Sequence, residues 1–158
     1  MKFPRTIRLD VSDVNAFPLA AEPEEWAVTG TFEFSDADPA AMTGKQQLAF
    51  KNGWLGLGTF GRSTFAQVAD ISDAEFEGAV HSLAQHLMDR YGAPDLAAAT
   101  QAARDEALYT VELCIHPPNT LLAIEREFTE QGVAEKIHLI PKADDGAHAK
   151  IWTVSEED

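Results

Sequence analysis

Cysteine is nearly absent from this chain: among 158 residues there is one, Cys114. A single cysteine forms no internal disulfide, which sets aside secreted disulfide scaffolds and fits a reducing compartment. Metal-ligand spacing is missing as well. The five histidines are His81, His86, His116, His138 and His148, and no His-x-x-x-His or Cys-x-x-Cys pair occurs. His81 and His86, five apart on a helical stretch, stand about 140° apart around the axis and do not share a face. Cys114 and His116 supply two ligands where a structural zinc needs four. The expectation is no metal, no cofactor and no catalytic constellation.

Basic charge is scarce. Lys and Arg number 12 against 26 Asp and Glu, a formal net charge of -14. Such a chain repels phosphate backbones, and no basic run overcomes that, so nucleic acid and anionic membrane surfaces are excluded as partners. No apolar run approaches the ~20 residues that span a bilayer. The opening Met1-Lys2-Phe3-Pro4-Arg5-Thr6-Ile7-Arg8 lacks the apolar core of a signal peptide. A cytoplasmic location is expected. The acidity reads first as solubility and mutual repulsion between copies, and second as an acidic face for a basic partner.

The chain does carry an ordinary globular composition, 45% hydrophobic and 24% charged, and its length suits one domain over 1–158. Residues 3–11 read as a strand with Pro4 near its start. Between Trp26 and Phe34 apolar residues alternate at Trp26, Val28, Gly30, Phe32 and Phe34, predicting a strand with a gap at Gly30 for a neighbouring aromatic to fill. A short helix is predicted over 39–52, with Asp38 as N-cap and Pro39 as first residue. Residues 59–71 read as one long strand. Ser72 and Glu75 form a capping box ahead of a helix with apolar residues at Phe76, Ala79, Val80, Leu83, Leu87 and Tyr91, ended by Gly92. A second, alanine-rich helix runs over 94–114. Strands follow at 120–128, 133–140 and 150–154, with an Asp145-Gly146 turn and an acidic tail at 155–158. The grouped order of elements predicts an α+β fold: a mainly antiparallel sheet of about five or six strands with two long helices packed on one face.

Residues 53–64 are the most unusual in composition, with four of the ten glycines, Trp54, and the only Arg between Arg8 and Arg90. Gly56-Leu57-Gly58-Thr59-Phe60-Gly61 spells G-x-G-x-x-G, but the dinucleotide site needs a strand before the glycines and a helix after, and here the order is reversed. The Gly61-Arg62-Ser63-Thr64 run lacks the second glycine and the following helix of a nucleophile elbow. Arg62 either clamps a carboxylate or phosphate bidentately or forms a structural salt bridge, which the many acidic side chains favour. Asp36 and Asp38 read as turn and cap chemistry rather than a metal or acid–base pair.

Several phrases resemble a family of small alphaproteobacterial proteins known only as a domain of unknown function. They are Pro4 to Asp10, Glu25-Trp26-Ala27-Val28, Asn52-Gly53-Trp54-Leu55-Gly56, Phe60-Gly61-Arg62-Ser63-Thr64 and Tyr91-Gly92-Ala93-Pro94. The resemblance covers nearly the whole chain. It implies a bacterial cytoplasmic protein and brings no activity or catalytic residue. Two expectations follow. The first is a non-catalytic accessory or protein-interaction domain, with a protein partner or self-association into a homodimer. The alternative is a small-molecule-binding protein or enzyme that holds an anionic ligand near Trp54 and Arg62, with Ser63 and Thr64 beside them. The helix after Ser72 is expected to pack on 53–64.

Overall fold

The computed structural model describes residues 1–140; the strand expected at 150–154, the Asp145-Gly146 turn and the acidic tail lie outside the described residues. The fold is α+β. Strands β1 (Lys2–Ile7), β5 (Phe65–Asp70), β6 (Leu121–Thr129) and β7 (Gly132–Ile140) form a four-stranded sheet in the order β1-β5-β6-β7, with every neighbour antiparallel. Strands β2 (Ala27–Val28), β3 (Trp54–Gly56) and β4 (Arg62–Ser63) form a second, three-stranded antiparallel sheet. The expected single sheet of five or six strands is therefore two smaller ones. They meet where the Thr6 amide donates to Glu25 O (2.7 Å) and the Glu24 amide donates to Thr6 O (2.8 Å).

Alternation along the short strands divides the interior in two, because successive side chains point to opposite faces. Ala27 and Trp54 turn towards Ala66, Val68, Leu122 and Ile124 of the larger sheet, with Cys114 alongside. Val28 and Leu55 turn the other way, onto Phe3, Leu57 and Ile71 and the two long helices, α3 (Asp73–Arg90) and α4 (Leu96–Leu113). Those helices contribute Phe76, Ala79, Val80 and Leu83 from α3 and Ala99, Ala103 and Ala107 from α4. The small side chains on α4 let the two axes approach closely. Leu83 is 1% exposed, and burying such a side chain is worth about 2–3 kcal/mol.

Local chemistry sets the helix ends. The Ser72 hydroxyl accepts from the Glu75 amide (3.1 Å) while the Glu75 carboxylate accepts from the Ser72 amide (2.9 Å), the reciprocal box expected. Gly92 adopts φ +70 beyond the other end. Helix α4 starts at Leu96, capped by Asp95, whose carboxylate accepts from the Ala98 amide (2.8 Å).

Elsewhere the chain departs from its apparent periodicity. Asp38 and Pro39 open only a 3₁₀ turn, Pro39–Ala41, and helix α2 (Gly44–Asn52) begins afresh from its own capping box, Thr43 with Gln46. The first strand, expected over 3–11, stops at Ile7, and a short helix, α1 (Ser12–Ala16), follows it. The strand expected at 59–71 is two strands in two sheets. Arg62 pairs with β3 and the 19–21 segment, and the chain changes sheets at Thr64, whose hydroxyl donates to Asp13 Oδ1 (2.6 Å). The strand expected at 26–34 ends after Val28. Gly30 adopts φ +74 and Thr31–Phe34 wind into a 3₁₀ turn. The gap at Gly30 is filled by Leu55 and the Arg62 guanidinium rather than an aromatic ring: a Cβ there would lie 2.5 Å from Leu55 Cβ and 2.8 Å from Arg62 Nη1.

Candidate functional site

The glycine-rich stretch packs on α3, where the Ser82 hydroxyl donates to Leu57 O (2.9 Å) and the Phe60 ring stacks on His86 at 3.8 Å. Its amides are already answered from within. Glu25 Oε1 accepts from the amides of Gly58 and Thr59, both at 2.8 Å, and Oε2 accepts from the Thr59 hydroxyl (2.7 Å). The chain's own carboxylate thus takes the backbone donors of this turn. Gly56 is glycine for the same reason, since a Cβ would come within 2.5 Å of Glu25 Oε1.

The four residues singled out in the sequence lie close together but are turned inward. Trp54 is fully buried, and its indole N–H finds no hydrogen-bond partner among the described residues. The Ser63 hydroxyl donates to Phe65 O (2.8 Å) and reaches Ile7 O (3.2 Å). Thr64 is held by Asp13 through its hydroxyl and its amide. Arg62 is 5% exposed. Its Nη1 donates to Thr29 O (3.2 Å) and Gly53 O (3.1 Å), and its Nη2 to Gly30 O (3.1 Å) and Glu33 Oε1 (2.7 Å). Four of its five N–H bonds are thereby accounted for, and Nε makes none among the described residues.

A second buried cation, which periodicity did not single out, stands beside it. Arg126 lies on the inward face of β6, in the same row as Leu122, Ile124 and Phe128. Its Nη2 donates to Thr29 O and to Gly53 O (3.0 Å), its Nη1 to Phe50 O (2.7 Å), and its Nε to the Thr31 hydroxyl (2.7 Å). That hydroxyl passes a hydrogen bond on to Glu135, which also accepts from Tyr109 (2.6 Å). The Phe34 ring lies over both guanidiniums, 4.7 Å from Arg62 and 5.5 Å from Arg126, a stabilising placement for desolvated cations.

Glu33, Glu106 and Glu135 balance the two arginines, and the pKa values of Glu33 and Glu106 move in opposite directions. For Glu33, burial pushes the carboxyl pKa up, but the Arg62 charge and hydrogen bonds from His86, Tyr91 and Arg62 outweigh it, leaving the group below its usual range. Its second oxygen lies 2.9 Å from His86 Nε2. Burial and the neighbouring Glu33 charge push Tyr91 up to about 12. For Glu106 burial wins: its pKa is raised despite hydrogen bonds from the Thr29 hydroxyl and the Gly30 amide. Burial, and then the charge of Arg62, press the pKa of Arg126 down.

An open cleft of about 190 Å³ borders this hub, lined by Pro18, Leu19, Glu33, Phe34, Gln46, Ala49, Phe60 and Arg62. Its walls are mostly aliphatic and aromatic. The polar groups are the Glu33–Arg62 pair and Gln46, whose Oε1 is spent on the Thr43 amide (2.8 Å). A cleft therefore does open beside Arg62, but Trp54 is not one of its walls. Among the described residues no three His, Cys, Asp or Glu side chains gather as metal ligands, and no helix is long and apolar enough to cross a membrane. Glu33, His86 and Arg126 were missed as site residues. The one legible signal was a charged residue at position 126 on the apolar face of a strand.

Residues 1–156 match a family of unknown function (DUF6505). No curated protein and no solved structure matches the chain.

Proposed function

The chain belongs to that family of unknown function, and from this premise we propose that it is a non-catalytic accessory domain that acts by binding protein, either a partner or a second copy of itself. The setting we infer is an alphaproteobacterial cytoplasm. One observation carries the reading. Leu9, Val11, Val14 and Leu19 stand 54%, 72%, 53% and 54% exposed within eleven residues of chain, and Leu48, on the helix that α1 packs against, is 44% exposed. Apolar side chains exposed this densely along one stretch of chain make it a candidate interaction surface. The inward engagement of Arg62, Ser63 and Thr64 is consistent with a structural rather than catalytic use of those groups. The test is Val11→Asp with Val14→Asp. The exposed positions predict an unchanged melting temperature. The reading predicts loss of self-association by light scattering or of partner capture from native lysate. A double variant that associates as the wild type does would end it.

A second reading, a small-molecule site, is favoured by the cleft beside Arg62, where apolar walls surround one ion pair of a buried arginine and a half-buried carboxylate. Pockets that hold small molecules have this composition, mostly apolar with a few fixed polar groups.

A further inference from the structure

We propose that the cleft beside the Glu33–Arg62 pair binds a small zwitterion with an apolar side chain, of the α-amino acid class. The inference rests on the second of the two readings above and names its ligand chemistry.

The two charges in the cleft wall are opposite and adjacent, 2.7 Å apart, with Glu33 16% exposed at the side chain and Arg62 6%. Each is fixed by groups outside the cleft. Glu33 is held by His86 Nε2, and Arg62 by the carbonyls of Thr29, Gly30 and Gly53. A wall of this kind presents an oriented dipole and little net charge. A lone anion meeting Arg62 also meets the Glu33 carboxylate, and a lone cation meeting Glu33 also meets the guanidinium. A molecule carrying both charges on neighbouring atoms satisfies the two together, with its ammonium at Glu33 and its carboxylate at the Arg62 Nε–H left over from the internal network.

The rest of the lining fits the rest of such a molecule. Pro18, Leu19, Ala49, Phe34 and Phe60 offer apolar surface for a branched or aromatic side chain, and Gln46 retains its amide NH₂ for the carboxylate. About 190 Å³ is smaller than the ~300–1,000 Å³ of sites for drug-sized molecules, which selects a small ligand. The pre-formed ion pair also removes the usual ordering cost, because neither charged side chain has to be immobilised on binding.

Isothermal titration calorimetry of the full chain with four probes that share the 3-methylbutyl group tests this: L-leucine, 4-methylpentanoate, 3-methylbutylamine and 4-methylpentanamide. The expected result is saturable binding of leucine with a Kd of about 1 mM or tighter, and at least roughly tenfold weaker binding of the other three. Leu19→Glu, a change at an exposed position on the rim, is expected to weaken leucine at least about tenfold without lowering the melting temperature. If the carboxylate, amine or amide binds as well as leucine and Leu19→Glu weakens it, the zwitterion assignment falls while the cleft reading stands. If none of the four binds, both fall. Leucine binding that is undiminished in Leu19→Glu places the ligand elsewhere and overturns the assignment.

Discussion

Arg62 and Arg126 donate to the same two carbonyls, those of Thr29 and Gly53. Two like charges on shared acceptors are tolerable because each carbonyl has two lone pairs and three carboxylates surround the pair. The hub ties the end of β2 and the start of β3 to the middle of β6, so it joins the two sheets and α2 at a second place besides the Thr6–Glu25 contact.

Removing one guanidinium leaves a carboxylate buried without its partner. Arg62→Met and Arg126→Met are each expected to cost about 3–5 kcal/mol. The double variant should cost more than the sum, because each single removal relieves the like-charge repulsion and leaves the shared carbonyls one guanidinium donor, whereas only the double removal leaves them with neither. Urea unfolding of the four proteins checks this. Costs that add to within about 0.5 kcal/mol would mean that the two side chains act independently.

Glu33 makes stability depend on acid. Its folded pKa lies below the usual 4.5, so the unfolded chain takes the proton more readily. The stabilisation is fully present above about pH 4.5 and is lost as pH falls through the folded value. Glu33→Gln is expected to be about 3 kcal/mol less stable at pH 7, with the gap narrowing under acid conditions. Urea midpoints measured from pH 3 to 7 give the answer, and a gap that stays constant across that range would refute the linkage.

Glu106 works in the opposite direction. Its folded pKa lies above 4.5, so its contribution is complete below that pH and is lost as pH rises through the folded value. Glu106→Gln should therefore gain on the wild type between pH 4.5 and neutrality and match it below. Denaturant midpoints across the same range would show a parallel offset if the carboxyl were unperturbed.

Glycine matters at position 30 and not at 78. Gly30→Ala combines left-handed backbone strain with a clash against Leu55 and Arg62, together about 3 kcal/mol of destabilisation. Gly78 sits in α3, and a Cβ added there would meet nothing within 4 Å, so Gly78→Ala should stabilise by about 0.5–1 kcal/mol. Thermal melts of the two variants move in opposite directions on this account. A similar shift for both would contradict it.

Where local signals agree with burial, the elements were legible. Ser72 with Glu75, the stripe from Phe76 to Leu87, and Gly92 specify α3 without reference to the rest of the chain. Residues 26–34 show the limit. Their alternation matches a strand through Phe34, yet the carbonyls of Thr29 and Gly30 go to guanidiniums rather than to a neighbouring strand. One of those guanidiniums lies 97 residues away, beyond any window of periodicity. The same distance explains the candidate site. Arg62 stood out by composition, and an acidic partner for it was expected, but which of 26 acidic side chains would meet it was decided by the sheet crossing.

The shared carbonyls also set an order of events. A chain emerging from the ribosome can join Arg62 to Glu33 early, since 29 residues separate them. The clasp between Thr29 and Arg126 has to wait until β6 is made. Contacts of such sequence separation cost loop-closure entropy before they return any energy, and they slow folding. Until position 126 arrives, the carbonyl of Phe50 lacks its Arg126 donor and that of Gly53 has Arg62 alone, so the N-terminal portion leaves the ribosome with half of its clasp unfilled.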